Sequence, residues 1–180
     1  IAADAMGVDV ELIAVQSSNR MQFLENGKID LMIATMSDRE DRRKLVGIAQ
    51  PNYYTSGTNI MSPKAVGIKK WEDLRGKPVC GKQGAFYNKV AWVYDDSSIM
   101  SDLSSGNYDS YEMPLNSEDD NPWGLAVPLG EKDCIFGNFM SGLTYNMHQS
   151  GKLIELEKKW GIQATQYLKD QQKRFADWIQ

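Results

Sequence analysis

The most constraining feature of this sequence is a short apolar run that leads directly into a helix-start signal. Residues 31–34, Leu-Met-Ile-Ala, predict a strand buried on both faces, although a helical segment shows the same pattern over so few residues. Ser37 and Glu40 have the spacing of a capping box, which predicts a helix over 38–45 with Ser37 as its N-cap and Arg42 in its first two turns. A strand that enters a helix N-terminus beside a guanidinium offers unpaired backbone N–H groups and a positive charge. This junction predicts either a site for a small anion or an ordinary capped helix with a solvated arginine.

The residues before this run predict a strand and a helix. Residues 8–12 alternate between apolar and acidic side chains, which is typical of a strand, and Ser17 or Ser18 can cap a short helix after it. Strand, helix and strand in succession predict an α/β fold with a parallel pair and a right-handed crossover. Ligands of such folds bind outside the carboxyl ends of the strands, which is where Thr35 and Ser37 fall.

Charge and composition exclude several classes of protein. The chain has 180 residues, 20 Lys plus Arg against 24 Asp plus Glu, and a net charge of −4, without a basic block that would suit nucleic acid or an anionic membrane. No apolar run is long enough for a membrane span, and no signal peptide is visible after Ile1. The two cysteines, Cys80 and Cys134, have no Cys-x-x-Cys spacing, so neither a metal nor a redox motif is predicted, and a disulfide between them stays open.

The C-terminal part predicts helices. A helix over 130–150 is expected to bury the face that carries Ile135 and Phe139, and amphipathic helices are expected over 151–161 and 167–179. The last of these helices could brace the fold or meet a partner. The lone histidine, His148, lacks the neighbours that a metal site or catalytic triad needs, so we expect it to be structural or exposed.

Several stretches resemble one family of proteins. Residues 30–57 are similar to the signature region of the type II periplasmic solute-binding proteins that supply polar amino acids to ABC transporters. The similarity extends from about Val8 to Gly161. The matching features are Asp-Leu-Met-Ile-Ala-Thr-Met-Ser at 30–37, Arg42, Val46, Pro51, Tyr-Tyr-Thr-Ser-Gly at 53–57, Lys-Trp-Glu-Asp-Leu-Arg-Gly-Lys-Pro-Val at 70–79, Pro-Trp-Gly-Leu-Ala-Val at 122–127, and residues 151–161.

The resemblance implies a two-lobe α/β fold. Lobe one would comprise residues 1–57 and 125–180, and lobe two residues 58–124, joined by two crossing strands that act as a hinge. The family's first strand and first helix have no counterpart in the sequence. In lobe two only eight residues, 82–89, separate two predicted strands, whereas a parallel crossover needs a dozen or more. We therefore expect the fold to be incomplete at the N-terminus and within lobe two.

The resemblance also implies a site for a free amino acid. In this family the junction that contains Arg42 holds the α-carboxylate, and a second-lobe turn adds backbone N–H groups. The family commonly has Thr or Ser where Ala85 stands, so only a backbone contact carries over there. Asp95 is favoured for the ligand ammonium, whereas Asp96 or Ser97 could cap the helix that follows. The residues expected to bind the ligand are Thr35, Ser37, Arg42, Gln83, Gly84, Ala85, Phe86 and Asp95.

Binding is therefore the predicted function. Neither a catalytic constellation nor a phosphate or dinucleotide fingerprint is present, so no catalytic residue and no cofactor are predicted. The resemblance implies a monomeric, periplasmic or cell-surface protein that closes on an amino acid and delivers it to a membrane permease. Alternatives are an amino-acid dehydratase of the same fold that acts on cyclohexadienyl compounds, the sensor domain of a membrane receptor, and a scaffold that binds nothing.

Overall fold

The fold combines helices with short antiparallel strands in a computed structural model that describes residues 1–78, 94–162 and 165–176. The α-helices are α1 (Ala2–Met6), α2 (Arg20–Glu25), α3 (Glu40–Arg43), α4 (Asp96–Ser104), α5 (Ile135–Gln149), α6 (Lys152–Lys159) and α7 (Gln166–Ala176). The strands are β1 (Val46–Ile48), β2 (Tyr54–Asn59), β3 (Ser62–Pro63), β4 (Tyr94–Asp95), β5 (Tyr111–Glu112), β6 (Glu118–Trp123) and β7 (Ala126–Pro128). The described residues also form 3-10 turns at Lys64–Val66, Trp71–Leu74 and Leu129–Glu131.

The sheets of the described residues are small and antiparallel. The strand order is β4-β2-β6 in the largest sheet, and β1 pairs with β7 and β3 with β5 in the other two. In the central pairings Tyr54 lies opposite Trp123, and Thr58 lies opposite Asp95. We refer to β2 and β6, which lie at the predicted boundaries between the lobes, as the crossing strands; that they join two lobes stays a prediction. The parallel pair predicted from residues 8–12 and 31–34 is not formed.

The apolar run at 31–34 makes an antiparallel bridge instead of a strand. Met32 and Ala126 exchange backbone hydrogen bonds of 2.8 and 3.0 Å. Met32 is 1% exposed but Ile33 is 58% exposed, so the prediction of burial on both faces was wrong. Residues 8–12, predicted to lie alongside, are exposed and belong to no strand. An alternating pattern forms a strand only where a neighbour supplies backbone partners, and none of the described residues does so here.

The buried apolar residues in the described ranges form three clusters that combine the two ends of the chain. The first contains Leu24, Met32, Met36, Val46, Ile48 and Ala126. The second contains Ala49, Leu125, Val127 and Met140, and the third contains Tyr54, Trp123, Leu153 and Leu168. Residues before β2 therefore share a core with residues after β6.

The C-terminal helices form as predicted, with one shift of register. Helix α5 begins at Ile135, after the 3-10 turn Leu129–Glu131. This turn lies so close to the first turn of α5 that a Cβ at Gly137 would come within 2.3 Å of the Glu131 carbonyl oxygen. The buried face of α5 consequently carries Gly137, Met140, Thr144 and His148. Ile135 is 90% exposed, so its predicted burial was wrong. Helix α7 packs against α5, α6 and β2, which makes it a brace within the described fold.

The crossing strands are joined by side-chain hydrogen bonds as well as by their backbone hydrogen bonds. Asp96 accepts hydrogen bonds from the hydroxyls of Ser56 (2.6 Å) and Ser117 (2.9 Å), which flank the pairing of β2 with β6. Because α4 begins at Asp96, neither Asp96 nor Ser97 occupies the predicted capping position. The acidic segment predicted as a loop becomes strand from Glu118 onward, and this edge strand tolerates Pro122.

A glycine between β6 and β7 allows close packing of the strands beside it. A Cβ at Gly124 would lie 2.3 Å from the Cγ2 atom of Ile48, which belongs to the first core cluster.

Candidate functional site

Ser37 is extended and does not cap the helix that follows it. The Asp38 N–H donates to the Pro122 carbonyl (2.7 Å), and the Gly124 N–H donates to the Met36 carbonyl (3.0 Å). Ser37 itself bridges Trp123 and is 4% exposed. These bonds keep the backbone extended at Ser37, two residues before the N-cap position is reached at Arg39. The prediction that Ser37 caps the helix was therefore wrong. Arg39 is the N-cap residue of α3, with φ −133° and ψ 150°, and α3 is four residues long instead of the predicted eight.

Arg42 turns back toward the extended segment. Its Nη1 atom donates a hydrogen bond to the Ser37 carbonyl oxygen at 3.0 Å, in a partly buried position. We call residues 37–43, which contain both groups, the anchor turn. The structure therefore brings Ser37 and Arg42 together, and contact of either residue with a ligand stays a prediction.

The backbone just before the anchor turn is strained. Thr35 has a φ of +49°, which is uncommon for a β-branched residue. The carbonyl of the preceding Ala34 accepts a hydrogen bond from the guanidinium of Arg20, which is only 5% exposed, and Met36 on the other side is fully buried. The strained residue is therefore flanked by two buried contacts.

Sequence reasoning missed Arg20, although a signal was present. Arg20 lies four residues before the buried Leu24 on α2, so both occupy the same helix face. A charged residue on an apolar helix face indicates a buried polar partner, which here is the carbonyl of Ala34.

Two acid–arginine pairs surround Arg42. The Asp41 carboxylate accepts a hydrogen bond from Arg39 (3.0 Å), which lowers the pKa of Asp41. The Asp38 carboxylate pairs with Arg43. Burial alone would raise the pKa of Asp38, but hydrogen bonds from Arg43, Gln50 and Asn52 hold that pKa below its ordinary value. The anchor turn therefore carries ionised partners for the arginines on either side of Arg42.

The remaining predicted ligand residues are described only in part. Gln83, Gly84, Ala85 and Phe86 lie outside the described residues. The backbone of Asp95 lies in β4, opposite Thr58 of the first crossing strand. Strand β2 pairs with Asp95 on one side and with Trp123 on the other. Trp123 in turn forms an isolated β-bridge with Ser37.

The cysteine pairing also stays a prediction. Cys80 lies outside the described residues. Cys134 is exposed, and its thiol donates a hydrogen bond to the Gly130 carbonyl at 3.2 Å.

Aromatic and histidine side chains near this region serve the core. Tyr54 is 8% exposed, and its ring centroid lies 5.2 Å from that of Trp123. His148 is 1% exposed, and its Nε2 donates to the Asn52 carbonyl at 2.7 Å. Burial lowers the pKa of His148, which favours the neutral ring. The structural role predicted for His148 is confirmed.

The described part of the chain offers neither a metal-binding cluster nor a membrane-spanning helix. It contains no group of three or more His, Cys, Asp or Glu side chains that could hold a metal ion. None of its helices has the length and apolar character needed to cross a membrane.

The chain is similar to known amino-acid-binding proteins. It is 25% identical over 190 residues to the ABC transporter glutamine-binding protein GlnH of Bacillus subtilis, covering 89% of this chain and 68% of that protein. It is 24% identical over 188 residues to the arginine-binding extracellular protein ArtP of the same organism, covering 88% of this chain and 73% of that protein.

Its fold is similar to that of an ancestral arginine-binding protein solved with bound glutamine. The TM-score is 0.77 at 22% identity, over 88% of this chain and 83% of that chain. This similarity confirms the predicted α/β fold class, that of the type II periplasmic binding proteins.

The family match covers the described fold as far as α6. Residues 1–163 match the family described as bacterial extracellular solute-binding proteins, family 3, and this range includes the anchor turn and both crossing strands. The chain belongs to the family 3 bacterial extracellular solute-binding proteins.

Proposed function

We propose that this protein captures a polar amino acid between two lobes outside the cytoplasm and, as a monomer, delivers it to an ABC transporter permease. Lobe one comprises residues 1–57 and 125–180, and lobe two residues 58–124. In this proposal Ser37 and Arg42 hold the α-carboxylate. Asp95 holds the ammonium, and the remaining contacts come from Thr35 and from residues 83–86.

The observation that carries the proposal is the contact between Arg42 and Ser37. A guanidinium has five N–H donors in a rigid fork, so a bond of 3.0 Å to the Ser37 carbonyl orients it and is compatible with gripping a carboxylate. Because the site is partly buried, such a pair is screened less by solvent than a surface ion pair.

The crossing strands supply the second argument. Ser37 is attached to this sheet at Trp123, opposite Tyr54, and Asp95 is attached at Thr58. These points lie four positions apart along β2, with a register shift between Ser56 and Thr58, which corresponds to about 13 Å. Because the carboxylate and ammonium of an amino acid share one Cα atom, a single ligand could contact Arg42 and Asp95 together only if the two sides approach each other, so its binding would favour a closed arrangement.

The ligand class follows from groups that amino acids share. GlnH is named for glutamine and ArtP for arginine, which have different side chains but the same α-carboxylate and ammonium. The proposal therefore commits to recognition of these two α-groups by Ser37, Arg42 and Asp95.

Calorimetric titration of the complete gene product with the twenty standard L-amino acids tests this function. We expect at least one amino acid to bind with micromolar or tighter affinity. Arg42→Ala should weaken its binding at least about a hundredfold, which is about 2.7 kcal/mol, because the carboxylate loses its charged partner. Arg39→Ala is the matched control, since it removes the same charge from an exposed arginine that pairs with Asp41. Absence of heat for all twenty compounds, or equal losses in the two variants, would contradict the proposal.

Two further measurements separate delivery from catalysis. The amino-acid-loaded protein should stimulate ATP hydrolysis by its reconstituted transporter more than the unloaded protein does. Turnover of prephenate-like or arogenate-like compounds by the purified protein would instead favour the dehydratase alternative.

A further inference from the structure

Asp38 is an ionised side chain that the fold buries beside the proposed carboxylate site. Its side chain is 2% exposed, whereas that of its partner Arg43 is 52% exposed. Asp38 directly follows Ser37 and precedes the helix that carries Arg42. Burying an ionised carboxylate costs free energy unless several hydrogen-bond donors satisfy it.

The donors to Asp38 come from two different parts of the chain. Arg43 makes a two-pronged contact, with Nε 2.5 Å from Oδ1 and Nη2 2.6 Å from Oδ2. Gln50, which follows β1, donates from Nε2 to Oδ2 at 2.9 Å. The backbone N–H of Asp38 donates to the Pro122 carbonyl of β6 at 2.7 Å. Asp38 therefore joins α3 to the loop after β1, and its backbone joins both to a crossing strand.

Helix α3 depends on such anchors. It is a single turn of four residues whose N-cap makes no side-chain hydrogen bond. One isolated turn is unfavourable in water, because the entropy lost in ordering it exceeds the gain from so few hydrogen bonds. The adjacent residues Arg42 and Arg43 make different contacts, the first with the Ser37 carbonyl and the second with Asp38. A helix held through Arg43 thus has the position of Arg42 set at the same time.

We propose that Asp38 is a positioning residue for amino-acid binding, whose buried carboxylate holds α3 through Arg43 and Gln50 so that Arg42 is already oriented beside Ser37. This inference rests on the proposed function, because it gives Arg42 a ligand to bind. Preorganisation of this kind strengthens binding because less conformational entropy is lost when the ligand arrives. Asp38 need not touch the ligand itself.

The test is a double-mutant cycle between Asp38→Asn and Arg42→Lys in the complete gene product, followed by calorimetry. The probe is whichever of the twenty standard L-amino acids the wild-type protein binds most tightly. Asp38→Asn keeps the shape of the side chain but removes its charge, and we expect it to weaken binding about tenfold. Arg42→Lys keeps the charge but lacks the rigid fork. In that background Asp38→Asn should weaken binding less than threefold, because no oriented guanidinium is left for Asp38 to position.

Asp41→Asn is the matched control. It removes an equal charge from the same turn, but Asp41 is exposed and paired with Arg39, so we expect the dissociation constant to stay within twofold of wild type. Arg43→Gln tests the other side of the contact from an exposed position and should reproduce the effect of Asp38→Asn, even if Asp38→Asn folds poorly. Folded fractions are measured by circular dichroism for every variant.

Three results would overturn the inference. Binding by folded Asp38→Asn and Arg43→Gln within twofold of wild type would show that the contact positions nothing. Equal losses from Asp38→Asn in the wild-type and Arg42→Lys backgrounds would show that Asp38 acts independently of Arg42. Failure of the wild-type protein to bind any amino acid would overturn the proposed function and this inference with it, an outcome distinguishable from the first two because wild type alone decides it.

Discussion

The crossing strands and the anchor turn are held in place by different kinds of contact. β2 and β6 share a backbone ladder, an aromatic contact between Tyr54 and Trp123, and the bonds of Asp96 to both sides. The anchor turn has a single helical turn and relies on side-chain bonds from Arg42 and Asp38. Changes in the crossing strands should therefore affect global stability, whereas changes at Arg42 or Asp38 in the anchor turn should affect binding with little loss of stability.

The largest expected effect is that of Trp123→Ala. Trp123 is 6% exposed, belongs to the third core cluster and bridges Ser37. Its truncation should lower the free energy of unfolding by about 3–5 kcal/mol, measured by chemical denaturation, because it leaves a large cavity. A loss below about 1 kcal/mol would show that the crossing strands are not the stabilising element proposed in this comparison.

Gly57→Ala should have the next largest effect. A Cβ at this position in β2 would lie 2.6 Å from Ser117 Cβ and 2.8 Å from Asp96 Oδ2. We expect a loss of about 1–3 kcal/mol in the free energy of unfolding, because the side-chain network must move apart. Gly142→Ala is the control on α5, where a Cβ would meet nothing within 4 Å and should stabilise the helix by about 0.5–1 kcal/mol. Equal effects of the two substitutions would remove the steric explanation.

Arg42→Ala should change stability less than Trp123→Ala and no more than Gly57→Ala. Its partly buried bond to the Ser37 carbonyl predicts a loss of about 1 kcal/mol in the free energy of unfolding. The same variant should lose amino-acid binding, so denaturation and calorimetry on one sample separate the two properties. A loss of about 3 kcal/mol in stability would instead make the anchor turn part of the structural core.

The pH dependence of the free energy of unfolding should show separate contributions from His148 and from Asp38 in the anchor turn. Because burial lowers the pKa of His148, which bonds to the Asn52 carbonyl just before β2, its contribution is present above about pH 6.5 and declines as the pH falls below that value. The lowered pKa of Asp38 gives a contribution that is present above about pH 4 and declines as the pH falls further. Denaturation at a series of pH values should show two separate declines, and His148→Gln should remove the one at higher pH. A single decline unaffected by His148→Gln would contradict this assignment.

Local sequence signals predicted the helices better than the strands. Helices α6 and α7 agree with their amphipathic patterns within the described residues. These signals work because helix hydrogen bonds and caps are local in sequence. The pattern at residues 8–12 failed because a strand requires a partner that no local pattern supplies.

Partners that are distant in sequence also explain why the conformation of the anchor turn was not fully predicted. The sequence predicted that Ser37 and Arg42 belong together, which the 3.0 Å contact supports, but it assigned Ser37 to a helix cap. Pairing with Pro122 and Gly124, more than eighty residues away, keeps Ser37 extended and overrides the capping pattern. Asp38 was not singled out because its burial depends on Gln50 and on the path of β6, neither of which its neighbours in sequence reveal.

The close approach at Gly124 carries a consequence for how related sequences diverge. Because a methyl group at position 124 would overlap the branched side chain of Ile48, alanine at 124 requires the residue at 48 to move or to become smaller. A descendant of this chain that acquires alanine at 124 without such a movement would first need a smaller residue at 48, and a search of homologues for that paired change would reveal whether evolution has taken this route.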